Sequence, residues 1–414
     1  MVSWVIYDLA NTIFALGVVG FYFSDWLISE GQPDSALAAV QIAAAIVVIF
    51  LAPWAGARSD VRGARVPTLK VTTLIAVGAT ALLAVGPIWM TFVMLWLAVA
   101  AVNTGSVVYD ALLVDVSTPE NRGRISGRGV GIGYFGSCIG LAIGIITLEV
   151  LGWTYAATFR TLALAFLVFS IPAFLFIQER PGSANEPLPG LGSVVGRLAK
   201  SWRKASEYDG VVRFLVGRFL YTDAINTLIS GFLAIFVIDE LGLDREFFFR
   251  LMAVAITAAV FGGLGAGRFI ERYGPIRVLR AVLVLWMMAL TAGIAAAVSG
   301  QTSLTWVIGP VGGIALGATW SADRVVMTRV SPPRYLGEFY GLYATVGRFA
   351  TIAGPLAWAV IVDGLDLGRN AAMAALTLFV AAGWWILRSV DDTPRSWSEK
   401  DEMVIGGSRE RHPS

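Results

Sequence analysis

Polar side chains that can bind a ligand or exchange a proton stand inside two long apolar stretches of the chain. In the first stretch Tyr7 precedes Asp8 and Asn11, and in the second Asp223 and Asn226 repeat the same spacing 215 residues later. A carboxylate inside a membrane helix is costly and by default marks a cavity or a partner. We therefore expect these residues to line a substrate or proton site. The alternative is structural, with the two aspartates capping or tethering neighbouring helices.

Three further charged side chains within apolar stretches are candidates for this site. They are Asp110, Asp323 and Arg348. Arg348 is about ten residues into its stretch, which is deeper than we expect for an arginine that only extends its guanidinium to the membrane surface. A buried cation needs a partner, and we expect Asp323, Asp223 or a substrate carboxylate to supply it. Asp110 fits either the cavity wall or the membrane surface, because it is close to the end of its stretch.

The composition places most of these residues in lipid. Of 414 residues, 57% are hydrophobic and only 14% are charged, with a mean hydropathy of +0.72, whereas soluble domains are about 25% charged. The sequence predicts an all-α membrane protein, because twelve apolar runs are long enough to cross a bilayer as helices. Those runs cover about 3–27, 36–57, 68–88, 91–115, 127–150, 156–177, 212–238, 248–270, 275–298, 304–327, 338–362 and 370–388.

Several function classes are excluded by what the chain contains. The single cysteine, Cys138, and the single histidine, His412, exclude a Cys- or His-based metal cage and predict no enzyme activity. The G-x-G-x-x-G pattern that begins at Gly131 lies in a membrane span with no preceding strand, so it does not predict dinucleotide binding. A net charge of +2 does not indicate a nucleic-acid partner. We expect no cofactor and no metal.

The charged loops orient the chain. Loops that follow even-numbered spans are rich in arginine, and loops that follow odd-numbered spans carry mainly acids, which places both termini in the cytoplasm. We expect two six-helix bundles, at 1–177 and 212–388. The segment 178–211 is predicted to be a linker with an amphipathic helix lying on the inner membrane surface, with a plain solvated linker as the alternative. Residues 389–414 are predicted to form a polar tail.

The two halves repeat a glycine–acid–glycine pattern after spans 2 and 8. Its members are Gly56, Asp60 and Gly63 in the first half, and Gly267, Glu271 and Gly274 in the second. A second repeat, after spans 4 and 10, has nearly the same offset, so a duplication explains both. Duplicated halves related by an axis along the membrane normal predict a central cavity between them.

The loop after span 2 resembles the signature loop of the major facilitator superfamily. Further motifs resemble one branch of it, the autophagy-related vacuole effluxers; these motifs are Tyr-Asp-x-Ala-Asn at 7–11, Tyr-Asp-Ala-Leu-Leu at 109–113, Arg-Gly-Arg-Ile-Ser-Gly at 122–127 and Gly-Arg-x-Ala-x-x-x-Gly-Pro at 347–355. The resemblance covers nearly the whole chain. It implies a twelve-helix facilitator fold and export of amino acids, the activity of the fungal members.

The resemblance also implies a gating role for the two repeated loops. Asp60 would meet the start of a helix in the other half and latch one access state, because a helix N-terminus favours an anion. Gly56, Gly63 and Arg65 belong to the same loop as Asp60, and the repeated loop in the second half contributes Gly267, Glu271, Arg272 and Gly274. The alternative is that these cations only set the orientation in the membrane.

We expect a secondary active transporter that exports a small polar metabolite, with amino acids favoured and with a proton or another gradient as the energy source. The alternative is a non-transporting relative that serves as a scaffold or assembly partner in a membrane complex. The expected partners are the substrate and membrane lipids. The expected location is the bacterial inner membrane, and the expected state is a monomer.

Overall fold

The computed structural model describes residues 1–117, 122–179, 191–332 and 335–393, in which every regular element is helical. Eleven helical segments are long and apolar enough to cross a membrane within these ranges. The remaining predicted span, Arg65–Ala81, is a shorter helix of 17 residues. We number the spans α1 (Val2–Ser29), α2 (Asp34–Arg62), α3 (Arg65–Ala81), α4 (Ile88–Val116), α5 (Arg122–Gly144, continued by Ile145–Val150), α6 (Tyr155–Phe176), α7 (Val211–Glu240), α8 (Arg245–Tyr273), α9 (Pro275–Ser299), α10 (Thr302–Val330), α11 (Leu336–Phe349 and Ala353–Ala359, continued by Val360–Gly364) and α12 (Gly368–Leu387).

Local sequence sets where several helices begin. Pro33 and Pro87 precede α2 and α4 in an extended conformation, and Pro275 opens α9, the position where its missing N–H is not needed. The side chain of Asp244 accepts a hydrogen bond from the amide of Phe247 at the start of α8. Such caps satisfy amides that have no partner within the helix.

The same helix pairs pack in each half of the chain. Helix α1 packs on α5 and α6 while α7 packs on α11 and α12; α2 packs on α4 while α8 packs on α10; and α3 packs on α6 while α9 packs on α12. The halves meet through α1 with α7, α2 with α11, and α5 with α8. This arrangement places the seam between the two halves at the centre of the bundle, as the predicted duplication of a six-helix unit requires.

Glycines let α1 and α5 touch through their backbones. A Cβ atom on Gly136 would lie 2.1 Å from the carbonyl oxygen of Leu9, and one on Gly140 would lie 3.0 Å from the Cα of Gly17. Small residues spaced four apart permit such close approach in a membrane. The first half is therefore held by a continuous, closely packed pair of helices.

Helix α11 is interrupted, although the sequence pattern predicts one continuous span at 338–362. Its first part ends at Phe349 and its second part begins at Ala353. Pro355 explains the break, because it lacks an N–H for the carbonyl four residues earlier and its ring crowds that carbonyl. Helix α7 is also kinked near mid-length, where Ser230 and Gly231 leave helical geometry and Gly231 has a φ of +117°.

The linker contains a helix at Leu191–Ala205, the position at which the amphipathic segment was predicted. Residues 180–190 of the linker and 394–414 of the tail lie outside the described residues. We call the end of the bundle that holds residue 1 and the linker helix the proximal end. The opposite end, with the loops 30–33, 151–154, 241–244 and 365–367, is called the distal end.

Candidate functional site

A cavity of about 290 Å³ lies at the seam between the two halves. Helices α1, α2 and α4 form one wall, and α7 and α11 form the other. Much of the lining is apolar, and the polar side chains that reach it are Gln41, Asn103, Asn226, Ser230, Arg348 and Thr351. Among the described lining residues Arg348 carries the one charge, so the cavity suits a small polar molecule with an anionic group.

Arg348 connects the two halves across this cavity. It lies near the end of the first part of α11, where its Nη1 donates to the carbonyl oxygen of Asn103 at 2.9 Å and its Nη2 is 3.8 Å from the Asp110 carboxylate. Both partners are on α4. The Asp110 side chain is 69% exposed although it lies deep in the protein, which is the situation of a carboxylate in a water-filled cleft.

Asn226 and Asp223 hold the break in α11. The Asn226 side-chain amide donates to the carbonyl oxygen of Ala350 at 2.8 Å, and Asp223 Oδ2 accepts from the amide of Gly354 at 2.9 Å. The first bond satisfies a carbonyl released by the break, and the second caps the new helix N-terminus. Asn226 also lines the cavity, whereas Asp223 is fully buried beside it. The repeated motif therefore shapes the cavity wall in the second half.

Asp8 lies closer to the proximal end than the cavity does. Its carboxylate packs against Gly133 of α5, and the charges of Asp110 and Arg324 act on it. Asn11 is half-buried one turn further along α1, and it is not among the residues that line the cavity. The structure thus brings Asp8 and Asp110 into one electrostatic neighbourhood and leaves Asp223 apart from them.

Tyr7 belongs to the packing between helices. Its buried hydroxyl lies 2.7 Å from Thr73 Oγ1, and its ring contacts that of Tyr109 with centroids 5.0 Å apart. Tyr109 in turn stacks on Trp4, whose indole N–H donates to the Tyr109 carbonyl oxygen at 3.0 Å. These contacts hold α1 against α3 and α4 on the proximal side of the cavity.

Asp323 is the centre of a second buried network, in the second half. Arg218 Nε donates to it at 3.0 Å, and the hydroxyls of Tyr221 and Tyr343 donate at 2.6 and 2.8 Å. The guanidinium also lies over the ring of Tyr343. Loss of either partner would leave an uncompensated buried charge, so Arg218 and Asp323 depend on each other. Asp323 therefore pairs with Arg218, and the carboxylate beside Arg348 is Asp110.

The two repeated loops have acids beside their helix starts. Glu179, just after α6, accepts from the amide of Val66 at 3.1 Å, and Asp392, just after α12, accepts from the amide of Ile276 at 2.9 Å. Arg65 forms an ion pair with Asp115 at 2.7 Å within the first half. Glu179 and Asp392 thus occupy equivalent positions in the two halves, which the sequence analysis did not predict. The sequence signal that could have indicated it is an acid shortly after the last span of each half.

The predicted loop residues have distinct placements. Gly63 and Gly274 adopt positive φ angles at the ends of α2 and α8, while Glu271 and Arg272 are exposed. A Cβ atom on Gly56 would lie 3.2 Å from Val107, and one on Gly267 would meet nothing within 4 Å. The side chain of Asp60 lies outside the described part of the structure, so its latch role stays a prediction.

Ion pairs join the two halves at the distal end. Asp34, at the start of α2, accepts from Arg369 Nε and Nη2 at 2.9 Å each and from the Trp358 indole at 2.7 Å. Arg369 also pairs with Asp239 at 2.7 Å. Because Asp34 is in the first half and its partners are in the second, this cluster ties the halves together.

A second cluster at the distal end also joins the two halves through an arginine–aspartate pair. Arg245 at the start of α8 pairs with Asp25 of α1 at 2.6 Å, and Tyr155 of α6 donates to the same carboxylate at 2.7 Å. Between this cluster and the cavity the backbones of α1 and α7 are in close contact. A Cβ atom on Gly20 would lie 2.6 Å from the carbonyl oxygen of Ile229. Asp34 belongs to the acidic loops that the sequence indicated, whereas Asp25 lies inside the first predicted span, and neither pairing across the halves was predicted.

A model of the vacuole effluxer Atg22-like family matches residues 113–399, which is more than half of the chain. The chain belongs to the vacuole effluxer Atg22-like family. This confirms the resemblance that the motifs indicated. A relative that covers nearly the whole Atg22-like chain is the uncharacterized MFS-type transporter YxiO of Bacillus subtilis (strain 168), which is 25% identical over 399 residues, covering 91% of this chain and 92% of YxiO.

Fungal members of the Atg22-like family are longer. Autophagy-related protein 22-1 of Aspergillus niger is 27% identical over 269 residues, covering 58% of this chain and 42% of that protein. The chain therefore matches less than half the length of this fungal relative.

Solved structures with the same architecture are transporters. The nucleoside transporter NupG superposes with a TM-score of 0.70 at 14% identity, covering 94% of this chain and 98% of NupG. A D-xylose–proton symporter superposes with a TM-score of 0.69 at 13% identity, covering 96% and 98%. At these identities the likeness concerns the fold alone, and the Atg22-like chain has the major facilitator fold in an integral membrane protein.

Proposed function

We propose that this protein is a secondary active transporter whose central cavity binds a small carboxylate-bearing metabolite, with amino acids as the favoured class. The observation that carries the proposal is Arg348, the charged side chain that reaches the cavity and bonds to α4 of the opposite half. A substrate carboxylate can take the guanidinium in its planar, two-pronged geometry. The apolar lining then receives the substrate side chain.

The contacts of Arg348 couple binding to movement. The guanidinium is held by the Asn103 carbonyl and, at 3.8 Å, by Asp110. A substrate carboxylate that bonds to Arg348 competes with both contacts and loosens α11 from α4. Binding thereby weakens one of the links between the halves, and a ligand shifts an equilibrium by its differential contacts with the two states.

The distal ion-pair clusters fit alternating access. The pairs Asp34–Arg369 and Asp25–Arg245 join the two halves at the distal end, and we infer that they keep this end closed in the described state. With both termini in the cytoplasm, as the loop charges favour, this state faces the cytoplasm and collects substrate for export. The breaks in α7 and α11 lie beside the cavity, as discontinuous helices do in other secondary transporters.

We propose a proton as the coupling ion, with Asp8 and Asp110 as its carriers. Carboxylates inside membrane helices are the groups that proton relays use, and these two act on each other electrostatically. Asp110 also touches Arg348. A proton that arrives at this pair changes how tightly the cation is held, which connects proton binding to substrate binding.

The test is substrate binding to variants of the purified protein. A thermal-shift screen with amino acids should raise the unfolding midpoint of the wild type, because ligands stabilise the state they bind. Arg348→Lys should lower the affinity at least tenfold, since lysine cannot form the paired hydrogen bonds. Arg213→Lys is the matched control, because Arg213 is exposed and pairs with Asp209. An Arg348→Lys protein that binds like the control would refute carboxylate recognition.

A further inference from the structure

An apolar groove of about 520 Å³ lies on the second half, away from the central cavity. It is lined by α8, α9 and α10, with Phe261 and Phe269 on its rim and Ile314 in its wall. Both rim phenylalanines are exposed, which places the groove on the surface that faces lipid. An exposed apolar cleft in this position receives an acyl chain without loss of any protein hydrogen bond.

One end of the groove carries a cation. Arg277, in the first turn of α9, and Tyr273, at the end of α8, line the proximal end. No hydrogen bond or ion pair involves the Arg277 guanidinium in the described part of the chain, and the Asp392 carboxylate accepts from the amide of the preceding residue, Ile276. An available guanidinium at the membrane surface is complementary to a lipid phosphate.

The length of the groove matches one leaflet. From Phe261 to Tyr273 the helix rises about 18 Å, and half of a bilayer core is about 15 Å. A phospholipid with its phosphate at Arg277 would therefore place an acyl chain along α8 and end it near Phe261. The path is open at Gly265, where a Cβ atom would meet nothing within 4 Å.

We propose that this groove is a binding site for an anionic glycerophospholipid, with one acyl chain between α8, α9 and α10 and the headgroup at Arg277. Basic pockets between transmembrane helices bind acidic lipid headgroups in this way. The site is separate from the substrate cavity, so it does not depend on the transport proposal.

The experiment is native mass spectrometry of the full chain in detergent, with phosphatidylglycerol and phosphatidylcholine that have identical acyl chains. Wild type should retain phosphatidylglycerol about fivefold more than phosphatidylcholine. Arg277→Gln should remove that preference, whereas Arg213→Gln, which changes another exposed arginine, should keep it. Equal retention of the two lipids by the wild type would overturn the headgroup assignment.

The acyl-chain assignment has its own variants. Gly265→Leu fills the groove and should reduce retention of both lipids at least fivefold, and Ala281→Leu on the facing wall is a second such change. Gly78→Leu is the matched control, because Gly78 is exposed on α3 and a Cβ atom there meets nothing within 4 Å. If both groove variants retain lipid like Gly78→Leu, the groove does not hold the lipid.

Discussion

Arg369→Gln should open the distal end. The Asp34 side chain is 2% exposed and that of Arg369 is 21% exposed, and the pair shares two hydrogen bonds of 2.9 Å. Removal of one partner of a buried pair costs about 3–5 kcal/mol. We take about 2–3 kcal/mol, because Arg369 is partly accessible and the Trp358 indole still donates to Asp34. At 1.4 kcal/mol for each factor of ten, the open population rises about 30- to 150-fold.

The assay measures access to the cavity from the distal side. A chain with Cys138→Ser and Ala15→Cys carries one thiol inside the cavity, since Ala15 lines it. In proteoliposomes, a membrane-impermeant thiol reagent applied from the distal side should label this cysteine faster in Arg369→Gln by the same factor. The reason is that labelling requires the distal-open state, whose population sets the rate.

Arg250→Gln is the control that separates loss of the Asp34–Arg369 pair from loss of any positive charge at the distal end. Arg250 is close to the same end but is exposed and pairs only within α8, with Glu246 at 3.8 Å. Exposed pairs of this kind contribute about 0–1 kcal/mol, so Arg250→Gln should label like the parent chain. Equal labelling rates in Arg369→Gln and Arg250→Gln would refute the assignment of the Asp34 cluster as the distal closure.

Two further predictions concern the repeated motif. Asn226→Ala leaves the Ala350 carbonyl without its donor and should lower the free energy of unfolding by about 1–3 kcal/mol, measured by thermal or denaturant melting; an unchanged free energy of unfolding would contradict this role of Asn226. Asp8→Asn should leave substrate binding intact and make transport insensitive to an imposed proton gradient in proteoliposomes; a variant that keeps wild-type gradient dependence would exclude Asp8 as the carrier.

Much of the fold was predictable because lipid imposes a simple rule. Apolar runs of about 20 residues must be helices when they cross a bilayer, and the spacing of the repeats indicated the duplicated halves. Span 3 shows that the length of an apolar run does not determine where a helix ends. The run was predicted to extend to 88, whereas α3 ends at Ala81. Small residues four apart form one face, so Gly136, Gly140 and Gly144 permit a close helix contact, but only the structure shows that the partner of α5 is α1.

The partners of the charged groups were not predictable from spacing. Arg348 was expected to pair with Asp323 or Asp223, yet Asp110 is its neighbour and Arg218 pairs with Asp323. Which carboxylate meets which cation depends on the rotation of each helix and on contacts between the halves, and neither is encoded in periodicity. The distal clusters were missed for the same reason, since Asp34 and Arg369 are 335 residues apart.

The two copies of the polar motif have diverged because their partner helices differ. In the first half, Asp8 faces an uninterrupted α5, whose Gly133 leaves no room for a side chain beside the carboxylate. In the second half, Pro355 breaks α11, and Asp223 is occupied with the cap at Gly354. Only Oδ2 of Asp223 serves this cap, and its Oδ1 is buried without a hydrogen-bond partner in the described part of the chain. The second copy therefore fixes the wall that presents Arg348, and in the coupling scheme that we propose the first copy, Asp8, carries the proton.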